Sequence, residues 1–182
     1  MNRYEAAEEP EFAEFGPVGG LGVTGRGEPG GPAFTAAVGA LYAVAGAAGI
    51  VPPPLEGRWW VEDGRPPLDV PRGEWWWHLF LHAADGMEPS AADRAREAVL
   101  PQIPAAARVQ FVTFTEGRCV QMLHRGPFSE EPRSLARMDA LMEAEGLVPN
   151  GLHHEIYLSD PREVAPEKAR TILRRPVRPA AT

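Results

Sequence analysis

The chain has 182 residues, enough for one well-buried core or two small fused halves. Its formal net charge of -7 argues against a nucleic-acid-binding surface, which needs a clustered basic patch. A single cysteine, Cys119, excludes an intrachain disulfide and favours a reducing compartment. The acidic N-terminus has no apolar segment of the kind that signal peptides carry, and the longest apolar stretch, 33–51, is more typical of a buried helix than of a membrane span. We therefore expect a cytoplasmic protein whose partners are neither nucleic acid nor membrane.

Five segments are predicted in the first half of the chain. An acidic leader, 1–16, is expected to be poorly ordered. Glycines weaken the strand predicted over 18–24. A helix over 32–49 follows from apolar residues at helical spacing after a proline suited to the first turn. Aromatic residues, which favour extended structure, predict strands over 58–62 and 74–82.

The second half continues with alternating elements. Ser90 is predicted to cap a surface helix that ends near Leu100. A hairpin is predicted around Glu116 and Gly117, with its two strands over 108–115 and 118–124. The remaining predictions are a helix capped by Ser129 and closed by Gly146, and strands over 153–158 and 169–174. The spacing of four apolar residues predicts that they share one face of this helix: Leu135, Met138, Leu141 and Met142.

The order of these elements suggests an internal repeat. Each half, about 17–83 and 105–178, contains a strand, a glycine–proline turn, an amphipathic helix and two more strands. Glu56 and Glu155 open corresponding strands in the two halves. The two halves share few identical residues at matching positions. The pattern predicts one α+β domain over 17–178, with antiparallel sheets that form a central groove and helices packed on one side.

One strand carries the clearest chemical pattern. Alternation over 153–158 places His153, Glu155 and Tyr157 on one face, with the carboxyl and the phenol about 7 Å apart along the strand. Such a pair either binds a cation or acts as a base and an acid. The alternative is a structural glutamate at the edge of the sheet, held by its neighbours.

The five tryptophans lie on two neighbouring predicted strands, so some of them must face each way. One face supplies core, and the large rings on the other face favour a cleft for a ligand. Aromatic walls around a carboxylate suit flat, hydrophobic and often cationic molecules. The alternative is a thick aromatic core. No spacing of histidine or cysteine is typical of a zinc site, so neither a metal nor a cofactor is expected.

Several blocks of the sequence together resemble the GyrI-like small-molecule-binding family in its stand-alone form. The resemblance runs from about residue 25 to 177 and rests on GRGEPGGPAF, ALYAVA, PPLEGRWW, EWWWHLFL, EGRCVQMLHRGPFSEEP and GLHHEIYLSDPREVAPEKARTILRRPV. It implies tandem SH2-like α+β modules around a hydrophobic groove. By this resemblance, some members serve as ligand sensors and others as multidrug binders. A stand-alone subset resembles hydrolases that open the cyclopropane ring of DNA-alkylating antibiotics.

The resemblance also implies particular site residues. Glu155 falls at the central pocket carboxylate of the family and Tyr157 at its partner. The implied aromatic walls are Trp59, Trp60 and Trp77, and the further lining residues are Tyr42, Met122 and Phe128. Phe128 stands where the family motif has tyrosine, so one hydroxyl is missing from the implied pocket.

The leading hypothesis is a binder of hydrophobic aromatic small molecules, cationic ones included, and it extends to the hydrolysis of cyclopropanoid antibiotics. The first alternative is a drug sensor or sequestering protein that does no chemistry. A protein inhibitor is a further alternative, supported only by the acidic leader. The sequence leaves the oligomeric state, and the choice between binding and turnover, open.

Overall fold

The computed structural model describes residues 2–51, 53–62, 64–65, 67–83, 87–160 and 163–181. These residues form three helices, α1 (Pro32–Ala47), α2 (Pro89–Val99) and α3 (Glu131–Ala144), and seven strands: β1 (Glu11–Arg26), β2 (Leu55–Trp60), β3 (Trp76–His82), β4 (Gln110–Arg125), β5 (Leu147–Pro149), β6 (His153–Tyr157) and β7 (Arg170–Pro179). The pairings that can be read residue by residue are antiparallel. The predicted α+β class is therefore confirmed. No helix in the described ranges is long and apolar enough to cross a bilayer.

The chain divides into two compact units, and the division falls inside β1 and β4. The central unit comprises Val18–Phe114, and the flanking unit comprises Met1–Pro17 together with Thr115–Thr182. In chain order, the predicted half 17–83 runs through β1, α1, β2 and β3, and the half 105–178 runs through β4, α3, β5, β6 and β7. The helix α2 lies between these halves in the sequence and belongs to the central unit. That order matches the predicted one, while descent of the two halves from SH2-like modules stays a prediction.

In the central unit, β3 lies between β1 and β2, and α1 packs against their shared apolar face. The register pairs Leu21 with Leu81 and Trp59 with Trp77. α1 begins at Pro32, whose fixed φ suits the first turn of a helix, and it buries Leu41 and Val44. The fully buried members of this core include Leu21, Ala40, Leu41, Val44, Trp77, Leu79 and Leu81.

Glycines in β1 leave room for large rings on β3. A Cβ at Gly25 would lie 2.1 Å from the indole of Trp77, and one at Gly22 would lie 2.5 Å from Nε2 of His78. Both approaches are closer than van der Waals contact permits. The glycines that weaken this strand in propensity are therefore required by the side chains of its neighbour.

In the flanking unit, β7 lies between β4 and β6. The register places Met122 opposite Leu173, and Leu173 in turn opposite Glu155. α3 covers this face, as predicted from the spacing of its methionines, because Met138 and Met142 pack against Met122 and Leu173. The predicted closure of α3 is also confirmed, since the next turn ends at Gly146 with a φ of 63°.

The predicted disorder of the leader is wrong. β1 already begins at Glu11, and Tyr4 and Ala6 pack against Ile156 and Ile172 on the face of the flanking sheet opposite to α3. The backbone N–H of Leu123 donates to the carbonyl of Ala7 at 2.6 Å. The leader is ordered because it buries apolar side chains and forms hydrogen bonds far along the chain, which an acidic composition does not reveal.

The predicted hairpin around Glu116 and Gly117 is also wrong. β4 runs unbroken through both residues, with Gly117 at a φ of 66°. The side chain of Glu116 forms ion pairs with Arg3 and Arg174 inside the unit. The two serine caps are wrong as well: α2 begins at Pro89 and α3 at Glu131, and neither helix has a side-chain cap.

Candidate functional site

The clearest polar group lies along β6. The hydroxyl of Tyr157 donates to Oε2 of Glu155 at 2.8 Å, and Nε2 of His153 lies 3.2 Å from Oε1 of the same carboxylate. The carboxylate side chain keeps 12% of its surface exposed. His154 and Ile156, which point the other way, are fully buried. The predicted alternation is confirmed, and it gathers three polar side chains on one face of β6.

An aromatic ring bounds this group. Phe128 packs edge-on against Tyr157, with ring centroids 5.9 Å apart, and keeps 46% of its own surface exposed. Contact between Phe128 and a ligand stays a prediction. Because this position carries no hydroxyl, the phenol of Tyr157 is the aromatic donor at this end of β6.

A buried histidine fixes the turn that carries Phe128. Nε2 of His124 lies 3.2 Å from the carbonyl oxygen of Pro127, and Nδ1 lies 3.0 Å from Oγ of Ser134. A carbonyl can only accept, so Nε2 carries a hydrogen and donates. His124 thus links β4, the turn and α3. Sequence reasoning gave this residue no role, because its partners are identified only by the fold.

Met122 lies elsewhere in the same unit. It is 1% exposed and belongs to the core beneath α3. It shares the α3 side of the sheet with Glu155, since both pair with Leu173 from opposite sides. Contact between Met122 and a ligand stays a prediction.

A second polar group in the flanking unit was not predicted. Glu116 has a side chain that is 4% exposed and lies 2.7 Å from Nδ1 of His154, 3.3 Å from Nη1 of Arg174 and 3.7 Å from Nη1 of Arg3. The guanidinium of Arg174 also stacks 3.6 Å from the ring of Phe15. Burial raises the pKa of Glu116, but the hydrogen bond from His154 and the nearby positive charges outweigh it and lower the pKa to about 2. This cluster stabilises a buried charge and lies on the side that the leader covers.

The implied aromatic walls belong to the central unit. Trp59 and Trp77 are 7% and 0% exposed, and Phe34 stacks on the first and meets the second edge-on. Tyr42 is partly buried and packs against the same core. These contacts are those of an aromatic core, which is the alternative interpretation of the tryptophans. Their contact with a ligand stays a prediction.

The other side of the central sheet carries two further tryptophans. Trp60 stacks on Trp76, with centroids 6.0 Å apart, and both are partly exposed. A small cavity of about 140 Å³ opens beside Trp76, with Arg26, Val61, Glu62, Val70 and Glu74 as its other lining residues. On this face of the sheet, Phe114 is partly exposed as well and packs edge-on against Phe80.

The eight predicted site residues thus fall into two groups, one in each unit. Glu155, Tyr157, Met122 and Phe128 lie in the flanking unit, and Tyr42, Trp59, Trp60 and Trp77 lie in the central unit. Whether one ligand contacts both groups stays a prediction. Within the described parts of the chain, no three histidine, cysteine or acidic side chains gather as they would around a metal ion.

Comparison with known proteins places the chain among related structures. An uncharacterised conserved protein from Listeria innocua is 39% identical over 96% of this chain and 95% of its own, with a TM-score of 0.89. A hydrolase from Listeria innocua is 37% identical over 96% and 94%, with a TM-score of 0.85. The C-terminal domain of EcmrR is only 10% identical over 94% and 98%, with a TM-score of 0.63, and shares the fold alone. No curated protein sequence matches the chain closely enough to add to these findings.

The sequence itself also matches a defined family. The GyrI-like small molecule binding domain covers residues 80–178, which is more than half of the chain. That stretch contains β6 with its Tyr157–Glu155 pair, the turn at Phe128 and the buried His124. Together with the extended similarity to the Listeria proteins, the match shows that this chain belongs to the GyrI-like small-molecule-binding domain family.

Proposed function

We propose that this protein is a hydrolase of hydrophobic aromatic small molecules, and that its chemistry centres on Glu155. The observation that carries the proposal is the carboxylate on β6, which accepts a hydrogen bond from Tyr157 while Phe128 exposes an aromatic face beside it. The similarity to hydrolases from Listeria innocua, at 37% and 38% identity, supports a hydrolytic reaction. Membership of a small-molecule-binding family supports a small organic substrate.

Electrophilic compounds with a strained cyclopropane ring fused to an aromatic system are the substrate class that we propose. Glu155 orients a water molecule and accepts its proton, and the water oxygen bonds to a cyclopropane carbon. The carbon–carbon bond of the ring breaks, and its electron pair moves through the conjugated system to the carbonyl oxygen. The hydroxyl of Tyr157 turns from Glu155 to donate to that oxygen as it becomes a phenolate, and the phenolate then takes up the proton that Glu155 accepted from the water. A carboxylate has about four lone-pair sites, so Glu155 keeps acceptor capacity beyond its two protein partners.

The test is turnover of a cyclopropane-containing duocarmycin-type compound in water enriched in oxygen-18. Mass spectrometry follows the gain of one labelled water in the product. Because general base catalysis contributes about 10²–10⁴-fold, we expect Glu155→Gln to slow the reaction at least about 100-fold. Glu167→Gln, which removes an exposed carboxylate in the same unit, serves as the control and should react like the wild type. Equal rates for Glu155→Gln and the wild type would exclude a catalytic carboxylate.

A binder that does no chemistry is the second candidate, and one observation favours it. Both oxygens of Glu155 already have partners, Tyr157 and His153, and a carboxylate held in this way suits the recognition of a positive charge. In this case a cationic dye such as rhodamine quenches tryptophan fluorescence and is recovered unchanged. Glu155→Gln then weakens binding of the cationic dye more than it weakens binding of a neutral aromatic compound of similar size.

A further inference from the structure

The turn that carries Phe128 is held on both sides by backbone hydrogen bonds. Gly126, which has a φ of 116°, donates its N–H to the carbonyl of Ala169 at 3.0 Å. The N–H of Glu130 donates to the carbonyl of Pro127 at 2.9 Å, just before the chain enters α3. A carbonyl oxygen has two lone pairs, so the oxygen of Pro127 can accept one more donor.

A buried side chain supplies that second donor. His124 is 4% exposed, and its Nε2 donates to the Pro127 carbonyl at 3.2 Å. With the hydrogen on Nε2, Nδ1 of the neutral ring is an acceptor, so the hydroxyl of Ser134, 3.0 Å away, donates to it. Both ring nitrogens are therefore satisfied, in one chain of hydrogen bonds that runs from α3 through β4 to the turn.

The carbonyl of Pro127 belongs to the peptide plane that ends at Cα of Phe128. Because a peptide unit is planar, a hydrogen bond that fixes this oxygen also restricts the direction in which the Phe128 side chain leaves the backbone. Proline has no N–H, so this carbonyl is the one backbone group by which a hydrogen bond can hold Pro127. Two donors on one oxygen, from Glu130 and His124, thus fix the base of the aromatic side chain.

The position of that ring bears on the proposed site. Phe128 meets Tyr157 edge-on, with the centroids 5.9 Å apart, while 46% of its own surface stays exposed. Tyr157 in turn donates to the carboxylate of Glu155 at 2.8 Å. An exposed ring has few neighbours to hold it, so its place beside these two polar side chains depends on hydrogen bonds in the layer behind it.

We propose that His124 is a positioning residue of this site, which holds the Pro127–Phe128 peptide and thereby sets the affinity for an aromatic substrate. The inference rests on the proposed function, in which Phe128 presents its ring to the substrate. His124 transfers no proton, because both of its nitrogens are engaged with protein groups. It acts on binding rather than on the chemical step, since Glu155 and Tyr157 are joined within β6 alone.

The experiment measures KM and kcat for the duocarmycin-type compound. His124→Leu combined with Ser134→Ala removes both side-chain partners at once, so that no buried hydroxyl is left unsatisfied. We expect KM to rise about 3- to 10-fold, as for the loss of one aromatic contact, and kcat to change less than about twofold. If that double variant does not fold, Ser134→Ala alone decides, because it withdraws the donor to Nδ1 and should raise KM in the same direction.

A conservative variant separates positioning from packing. In His124→Gln the amide nitrogen can take the place of Nε2 and still donate to the Pro127 carbonyl, so KM should stay close to that of the wild type. Ser129→Ala removes an exposed hydroxyl from the same turn and serves as the control, which should bind and react like the wild type.

A cycle of variants tests whether His124 acts through Phe128. In that case the double change at positions 124 and 134 raises KM in the wild type but adds nothing in a Phe128→Leu background. An effect that is equally large without the phenylalanine ring would overturn the inference. An unchanged KM, or a loss confined to kcat, would overturn it as well.

Proton NMR of the tyrosine rings gives a readout that needs no substrate. The chain has three tyrosines, and Tyr157→Phe identifies the signals of Tyr157 by their loss. Phe128→Leu removes the neighbouring ring and should shift those signals. We expect His124→Leu with Ser134→Ala to shift them in the same direction and His124→Gln to leave them in place. Wild-type positions in the double variant would show that the Phe128 ring does not depend on His124.

The outcomes keep the inference and the proposed function apart. If the wild type binds the compound but converts none, the hydrolase function fails, and dissociation constants from calorimetry replace KM in the same comparison. If the wild type converts the compound and every variant shares its KM, the hydrolase function stands and His124 has no part in affinity. If the wild type neither binds nor converts the compound, both proposals fail.

Discussion

Tyr157 and Glu155 are joined by a hydrogen bond of 2.8 Å between side chains that are two residues apart on one strand. A strand places such residues on the same face, about 7 Å apart along its axis. The two long side chains must therefore lean towards each other to meet. Because both residues belong to β6, their coupling is a local property of the strand and can be measured without a ligand.

We predict a coupling free energy of about 0.5–1.5 kcal/mol between these two side chains, the usual net contribution of one hydrogen bond. A double-mutant cycle with Tyr157→Phe, Glu155→Leu and the double variant isolates it from urea unfolding curves, because leucine has no acceptor for the Tyr157 hydroxyl. Partial exposure of the carboxylate keeps the expected value below that of a buried charged pair. Strictly additive single effects would show that the bond contributes nothing to the folded state.

Local periodicity explains what the sequence could predict. The alternation over 153–158 assigned Glu155 and Tyr157 to one face and Ile156 to the other, and the structure confirms it. The spacing of methionines in α3 identified the face that packs on the sheet. Both patterns depend only on residues that are neighbours along one element, so they can be read before any tertiary contact is known.

Long-range partners explain what the sequence could not predict. Glu116 followed by Gly117 has the composition of a turn, but the carboxylate is bound by Arg3, His154 and Arg174, which lie more than 35 positions away. The same partners order the leader. His153 was placed on the correct face, but its contact with Oε1 of Glu155 depends on the orientation of the ring, which no sequence pattern encodes.

Two glycines of the central unit should respond in opposite ways to alanine. At Gly25 a Cβ would lie 2.1 Å from the indole of Trp77, which is fully buried against Phe34. The ring cannot move away freely, so we expect Gly25→Ala to lower the free energy of unfolding by about 1–3 kcal/mol. Denaturant unfolding followed by tryptophan fluorescence measures the change.

Gly39 provides the matched control. It lies exposed within α1, and no atom lies within 4 Å of the Cβ that alanine would add. Alanine is favoured over glycine inside a helix, so Gly39→Ala should raise the free energy of unfolding by about 0.5–1 kcal/mol. A Gly25→Ala protein as stable as the wild type would mean that the close packing around Trp77 is not required.

The single thiol should be unreactive while the protein is folded. Burial raises the pKa of Cys119 to about 12, and the negative charge of Glu116 adds to the effect. The thiolate is the species that reacts, so at about pH 8 almost none of it is present. We expect a thiol reagent to label the native chain only as fast as the flanking unit opens, and to label the urea-unfolded chain at once. Rapid labelling without denaturant would contradict this account.

Glu116 should make stability depend on pH in the acid range. Burial alone would raise its pKa, but His154, Arg174 and Arg3 lower it to about 2, against an ordinary value of about 4.5. A carboxyl whose pKa is lower in the folded chain stabilises the fold above the unfolded pKa. That contribution is lost as the pH falls from about 4.5 towards about 2, because the unfolded chain then binds the proton more readily.

The matching variant is Glu116→Gln, which leaves Arg174 buried without its carboxylate. The difference of about 2.5 pKa units corresponds to roughly 3 kcal/mol, so we expect the variant to be about that much less stable near neutral pH. The gap between the two proteins should shrink as the pH falls below about 4.5, because the wild type then loses the same charge. Glu145→Gln, at an exposed position of the same unit, should follow the wild type throughout. Urea unfolding at a series of pH values tests this, and a gap that stays constant down to about pH 2 would show that Glu116 is not ionised in the folded protein.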